Sequence, residues 1–272
     1  MSRNNLRRTR AVEHEGPRGG VLVASAAVLV VFLLCWEWLP ALTRVPEFIL
    51  PPPSKVWSEF LRMLDNERLM RHTGITSAEV VIGFVIGSAL GAVIGFILGV
   101  APRAELVLSP YILALQIAPK VAFAPLFVMW MGYTMYPKIL VAILIVFFPV
   151  MVNVLTAIRT VDPDLVNLAR SFSATRWQIF RMIEYPATMP PLFSGLRIGA
   201  TLAVIGVVVG ELVGGNMGLG YLLIFGEGQG NTAAVFVTII LLTVIGIAAY
   251  GAVIFAEARV LHYLPRAQHH TV

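Results

Sequence analysis

"TSAEVVIGFVIGSALGAVIGFILGV", residues 76–100, decides the fold class. The run is apolar with little charge, and at about 1.5 Å per residue as a helix it crosses a hydrocarbon core of about 30 Å. It lacks the two-residue alternation of an outer-membrane barrel strand. A helix is then the remaining way to satisfy its backbone in lipid. Gly83, Gly87, Gly91, Gly95 and Gly99 recur at every fourth position. That spacing places all five on one face, where a second backbone can approach closely. Tight helix packing is the direct reading; a gliding surface for conformational change has the same spacing.

The rest of the chain agrees. Its 272 residues are 58% hydrophobic and 13% charged, with a mean hydropathy of +0.82. So few charges cannot cover the surface of a water-soluble domain of this length. The expected fold is all-α and polytopic, with six spans near 21–39, 76–100, 105–131, 137–157, 193–212 and 233–257. The third is expected to break near Pro119 and Pro125. The expected organisation is a cytoplasmic tail over 1–20, a first span with an external segment over 21–75, a core over 76–260 and a second tail over 261–272. The net charge of +5 reads as basic residues retained on one side of a membrane and not as a nucleic-acid surface. Cys35 is the only cysteine, which excludes an intrachain disulfide and cysteine-rich metal sites.

Arg3, Arg7, Arg8 and Arg10 precede an apolar run that continues into Trp36 and Trp38 without a small-residue cleavage site. An uncleaved first span with an interfacial aromatic pair is expected. The Lys/Arg distribution then puts both termini in the cytoplasm and the segment 213–232, which has neither Lys nor Arg, outside. The segment between the first two spans carries Arg44, Lys55, Arg62, Arg68 and Arg71 against that assignment. Within it, "LPPPSKVWSEFLRML" (50–64) reads as a proline-stiffened approach to an amphipathic helix. Ser54 is the expected N-cap, with Trp57, Phe60, Leu61 and Leu64 at helical spacing. The helix either lies on the outer membrane surface or docks an external partner.

"DPDLVNLARSFSATRWQIFRMIEYPATMP", residues 162–190, is too polar to span. Asp162 and Pro163 make an N-cap and a first helical residue. Leu165, Leu168, Ala169 and Phe172 follow on one face, and Thr175 with Gln178 forms a capping-box pair that starts a second helix. Pro186 is expected to end it. The result is a helix–turn–helix, either a surface loop or a protruding knob that offers Phe172 and Trp177 to a groove on a cytoplasmic partner.

This segment resembles the cytoplasmic loop of permease subunits in ATP-binding-cassette importers. That loop has the pattern Glu-Ala-Ala, three residues, Gly, nine residues, Ile-x-Leu-Pro. Asn167 stands at the glutamate, Leu168 and Ala169 at the alanines, Ser173 at the glycine, and Ile183, Tyr185 and Pro186 at the Ile, Leu and Pro. "ARSFSATRWQIFR" (169–181), "APKVAFAPLFVMWMG" (118–132) and "VVGELVGGNMGLGYLL" (208–223) are similar to the nitrate, sulfonate and taurine branch. The likeness covers about residues 50–260 and implies a type I importer permease fold in a bacterial inner membrane. It also implies that Asp164, Asn167, Leu168, Ala169, Arg170, Ser171, Phe172, Ser173, Ala174, Trp177 and Arg181 meet an ATPase. A left-handed bend at the glycine position would cost Ser173 on the order of 1 kcal/mol.

No Gly-x-x-x-x-Gly-Lys-Ser/Thr sequence occurs, so the chain carries no P-loop. The resemblance implies no cofactor on this chain and no enzyme activity of its own. ATP would be used by a separate ATPase subunit, an external solute-binding protein would deliver the solute, and a second permease copy would complete the pathway. The solutes implied are nitrate, sulfonates or taurine, or a pyrimidine or flavin vitamin precursor. Ionisable groups within spans are functional candidates by default, and they are scarce here. Glu211 is the first pathway or gate candidate, with an interfacial carboxylate facing water as the plainer alternative. Lys120 would attract an anion or cap the preceding half-helix, and Gln116 and Asn153 are uncharged pathway candidates. Gly214, Gly215, Gly218 and Gly220 mark a turn or an outer gate. An ion-gradient-driven transporter is the rival reading, but it needs mid-membrane carboxylates or histidines. Of the histidines, His14, His72, His262, His269 and His270, only the last two are adjacent, and two ligands do not make a metal site.

Overall fold

The computed structural model describes residues 18–65 and 68–263, so residues 1–17 and 264–272 of the expected tails, with Arg3 to Arg10, His14 and the His269–His270 pair, lie outside the described residues. Every regular element among the described residues is helical. The chain runs through α1 (Arg18–Leu42), α2 (Pro53–Asp65), α3 (Arg68–Val100), α4 (Pro102–Ile117), a 3-10 turn at Lys120–Phe123, α5 (Ala124–Met131) and α6 (Tyr136–Arg159). It continues through α7 (Pro163–Ser171), α8 (Arg176–Ile179), a π-helical turn at Phe180–Glu184, α9 (Tyr185–Gly214), α10 (Leu219–Gly228) and α11 (Thr232–Val260). Among the described residues, five helices are long and apolar enough to cross a membrane, and a sixth span forms if α4 and α5 are taken as one span bent by 77°.

α6 is the central helix. Its Val141, Ala142, Val146 and Val150 are fully buried, because it is packed on two sides by helices that bring backbone instead of side chain. On one side is the glycine stripe of α3: a Cβ on Gly91 would lie 2.6 Å from the Phe147 carbonyl oxygen, and one on Gly95 2.5 Å from that of Met151. On the other is a second stripe in α9, where a Cβ on Gly206 would lie 2.7 Å from Ala142 Cα and one on Gly210 2.7 Å from Lys138 Cα. The packing reading of the first stripe is thus what the fold uses. The second stripe, spaced less regularly at 195, 199, 206 and 210, is a feature the sequence reading missed.

Three boundaries differ from expectation for identifiable reasons. α3 starts at Arg68 and not near residue 76, adding two turns that bury Leu69 and His72. The third span breaks at Ala118–Pro119 only; Pro125 sits in the first turn of α5, where a missing N–H leaves no bond unmade. Pro186 likewise lies in the first turn of α9 and does not end the second loop helix. The π-helical turn instead carries α8 into α9, giving one apolar helical run from Arg176 to Gly214.

α1 and α2 are joined by Glu37, whose carboxylate accepts from the Ser54 N–H (3.0 Å) and hydroxyl (2.6 Å). Ser54 is therefore the capped residue, and the cap comes from the preceding helix. α2 buries Val56 with Phe60, Met63 and Leu64 packed nearby, against Leu69, Leu219 and Val237. Trp57 and Leu61, expected on that face, are exposed. Cys35 is exposed, in an apolar slot with Phe32, Trp36 and Phe236.

Candidate functional site

The helical bundle has two ends, and the candidate residues divide between them. At the end where α6 finishes and α9 begins, α7 and α8 form a knob. Asp162 caps α7 by accepting from the Asp164 N–H at 2.8 Å. α7 closes with the Ser173 N–H on the Arg170 carbonyl (2.8 Å) and the Ala174 N–H on that of Ala169 (3.0 Å). These are the two bonds of a Schellman motif, and Ser173 takes the left-handed conformation at φ 59°. Thr175 and Gln178 then make the expected capping box, with the Thr175 N–H donating to Gln178 Oε1 at 2.7 Å.

The knob is rigid by its caps and anchored by Ile179, which is buried, and by Phe180, which meets Phe96 of α3 edge-on at 4.9 Å. Four of its large apolar side chains face outward. Phe172 is 80% exposed and Trp177 66%, and Leu165 and Leu168 are more than half exposed. Asp164, Asn167, Arg170, Ser171 and Arg181 are exposed, while Ala169 and Ala174 are half-buried in the turn. The expected coupling residues other than Ala169 and Ala174 are thus exposed along α7, α8 and the turns that adjoin them. Nearby, ion pairs cross between helices: Arg159 with Glu105, and Arg197 with Glu257 at 3.4 Å.

At the opposite end, buried polar side chains from three helices converge on the turn between α9 and α10. Lys138 Nζ of α6 donates to Glu79 Oε1 of α3 at 3.0 Å and to the Met217 carbonyl at 3.1 Å. The Gly218 N–H donates to His72 Nδ1 (2.9 Å), the Leu219 N–H to Thr76 Oγ1 (2.8 Å) and the Gly220 N–H to Glu211 Oε2 (2.6 Å). Thr76 donates in turn to Glu211 Oε1 at 2.7 Å. Four consecutive backbone groups, 217–220, are each held by a side chain. Gly218 sits at φ +112°, and a Cβ there would collide with the Glu211 carboxylate.

The four pathway candidates do not meet. Lys120 donates to the Gln116 carbonyl at 2.5 Å and lies 4.7 Å from the centre of the Phe148 ring, which places its charge on the broken C-terminus of α4. Gln116 itself is exposed. Asn153 Nδ2 donates to the Pro149 carbonyl one turn back at 2.8 Å. Glu211 is 1% exposed and does not face water. The scarcity of charge within the spans also needs correction, since Glu79 and Lys138 lie inside apolar helices and pair with each other. Their signal was available as single charges within "AEVVIG" and "PKILVA". Between α9, α10 and α11 runs a groove of about 700 Å³ whose only polar side chains are Thr201, Thr243 and Tyr250. Among the described residues, no group of three or more His, Cys, Asp or Glu could hold a metal ion.

Comparison with known proteins assigns the architecture. The chain is 38% identical over 222 residues to a riboflavin transport system permease protein of Chloroflexus aurantiacus, covering 82% of this chain and 83% of that one. It is 32% identical over 226 residues to a formylaminopyrimidine transport permease protein of Halalkalibacterium halodurans, covering 82% and 89%. It is also 32% identical over 216 residues to a putative aliphatic sulfonates transport permease protein of Bacillus subtilis, covering 79% and 78%. A solved structure of inward-facing conformations of the MetNI methionine transporter shares the fold, with a TM-score of 0.54 at 21% identity over 73% of this chain and 97% of that one. Residues 87–262 match the family described as "Binding-protein-dependent transport system inner membrane component". The chain belongs to that family: it is an integral membrane permease for small solutes, of the sulfonate and taurine branch of ATP-binding-cassette importers.

Proposed function

We propose that this chain, paired with a second copy in a bacterial inner membrane, couples ATP hydrolysis on a separate subunit to solute uptake through the 162–190 knob. The knob carries the reading: caps at both helices hold Phe172 and Trp177 in fixed, exposed positions at the end of two packed spans. Ordered aromatic side chains left in contact with water are suited to a partner's groove. ATP does work here only if the docked ATPase binds one conformation of the permease better than another. Solute would arrive on an external binding protein.

The experiment is co-purification in detergent with the candidate ATPase. The native chain is expected to retain it, and the Ala169→Arg, Phe172→Asp double variant to lose it while still inserting in the membrane. Equal retention by both would remove the knob from the interface, and retention by neither would remove the proposed coupling to that ATPase.

Within the branch, we assign the solute to the neutral heteroaromatic class, a flavin or pyrimidine vitamin precursor. One observation favours it over sulfonates: the named solutes of the riboflavin and formylaminopyrimidine relatives. ATP-dependent uptake into proteoliposomes containing the ATPase and binding protein should therefore accept riboflavin or an aminopyrimidine and ignore taurine. Taurine uptake alone would reverse the assignment.

A further inference from the structure

The cluster at the α9–α10 turn has an imbalance of charge and of hydrogen bonds, and both have the same remedy. Glu79 and Glu211 are each 1% exposed and Lys138 is 3% exposed. His72, a further titratable group facing the turn from α3, accepts the Gly218 N–H on Nδ1, a nitrogen that is unprotonated in that bond, and stacks on Tyr221 at 5.7 Å. α5 and the turn itself contain no charged residue, Glu227 of α10 and Asp65 of α2 are exposed, and Lys55 and Arg62 of α2 pair with Glu47 and Glu59. Two carboxylates against one ammonium leave an excess negative charge buried in protein, a strongly unfavourable arrangement. At the same time Glu79 Oε2 is buried without a hydrogen-bond partner, although the Glu79 and Glu211 carboxyls lie within hydrogen-bonding reach of one another. Thr76, one turn before Glu79 on the same helix face, already bridges to Glu211 and fixes that approach.

We propose that Glu79 and Glu211 form a proton-binding site that holds a single proton between them, and that this proton fastens the 217–220 turn to α3 and α6. Protonation of one carboxylate forms one O–H bond and changes nothing else. It removes the excess charge and gives Glu79 Oε2 its hydrogen bond. It also leaves Glu211 free to accept from Thr76 and Gly220. Loss of the proton places two like charges side by side beneath a turn whose backbone bonds depend on Glu211, Thr76 and Lys138, and the turn is released. The inference rests on these contacts alone and stands whether or not the assignments of ATPase docking and solute hold.

The full chain in lipid nanodiscs tests it. Infrared difference spectra taken while the pH is raised should show the native chain losing a protonated-carboxyl stretching band. That band should be missing at every pH from both Glu79→Gln and Glu211→Gln. Glu79→Gln keeps the site neutral and supplies an N–H donor to Glu211, so it should melt close to the native chain, whereas Glu211→Gln also keeps the site neutral but turns one of the two oxygens that accept from Thr76 and Gly220 into an N–H donor and should be less stable. The double variant strands Lys138 without a counter-charge and should lose more stability than the two singles combined. Hydrogen exchange at residues 218–220 should accelerate with pH beyond its intrinsic rise in the native chain and not in Glu79→Gln. A native chain with no such band overturns the proposal, as does a band that survives in either single variant. Glu79→Gln as damaging as the double would mean that the Glu79 carboxylate is needed as a charge, and would overturn it equally.

Discussion

Ser173 holds a left-handed backbone conformation that costs a side-chain-bearing residue about 1–2 kcal/mol. The Schellman bonds around it persist because α7 cannot otherwise end before the Thr175 capping box begins. Ser173→Gly removes the Cβ conflict but adds backbone freedom to the unfolded chain, so the net gain expected is below about 1 kcal/mol. The check is hydrogen exchange at residues 173 and 174, which should slow in the variant; faster exchange would mean that the serine side chain supports the bend. The caps of this knob were legible in the sequence because each is written within four residues, Asp162 with Asp164 and Thr175 with Gln178. The Glu79–Lys138 pair and the Thr76–Glu211 bond were not. Their partners are 59 and 135 residues apart, and no local pattern announces which charge inside one span meets which in another.

Between helices, the decisive contacts are glycine against backbone. A carbonyl oxygen cannot swing aside as a side-chain tip can, so Gly95→Ala, with its Cβ 2.5 Å from the Met151 carbonyl, must push α3 away from α6. Overpacking of this kind costs about 1–3 kcal/mol. Gly74 lies on the same helix with nothing within 4 Å of its Cβ position. Gly74→Ala should be neutral or should stabilise by up to about 1 kcal/mol. Thermal melts of the two variants in one detergent make the comparison, and a Gly95→Ala chain as stable as Gly74→Ala would show that α3 is not held at this distance. The α3 stripe was readable because its period is regular. The α9 stripe and the run-through of α8 into α9 were not, because Pro186, Pro190 and Pro191 suggest a boundary that a π-helical turn and a first-turn proline together avoid.

At the scale of the molecule, the bundle is asymmetric from end to end. One end locks a turn with buried polar side chains and backbone bonds; the other joins its helices by partly exposed ion pairs and carries the knob. An ion pair in contact with water contributes little and is screened by salt, whereas breaking a buried one by removing a partner costs several kcal/mol. The end bearing the knob is therefore the more readily rearranged, which suits the docking of a motor proposed for it. That assignment requires the knob to be cytoplasmic and the 215–218 turn to be outside, as the Lys/Arg distribution implies. Both places offer an exposed residue for labelling: Asn216 in the turn and Arg103 in the first turn of α4, at the knob end. In a Cys35→Ser background, a membrane-impermeant thiol reagent applied to intact cells should modify Asn216→Cys and leave Arg103→Cys untouched until the membrane is permeabilised. The reverse pattern would put the knob outside the cell, beyond the reach of any ATPase, and the charge on the segment between α1 and α3 would then have been the better guide to orientation.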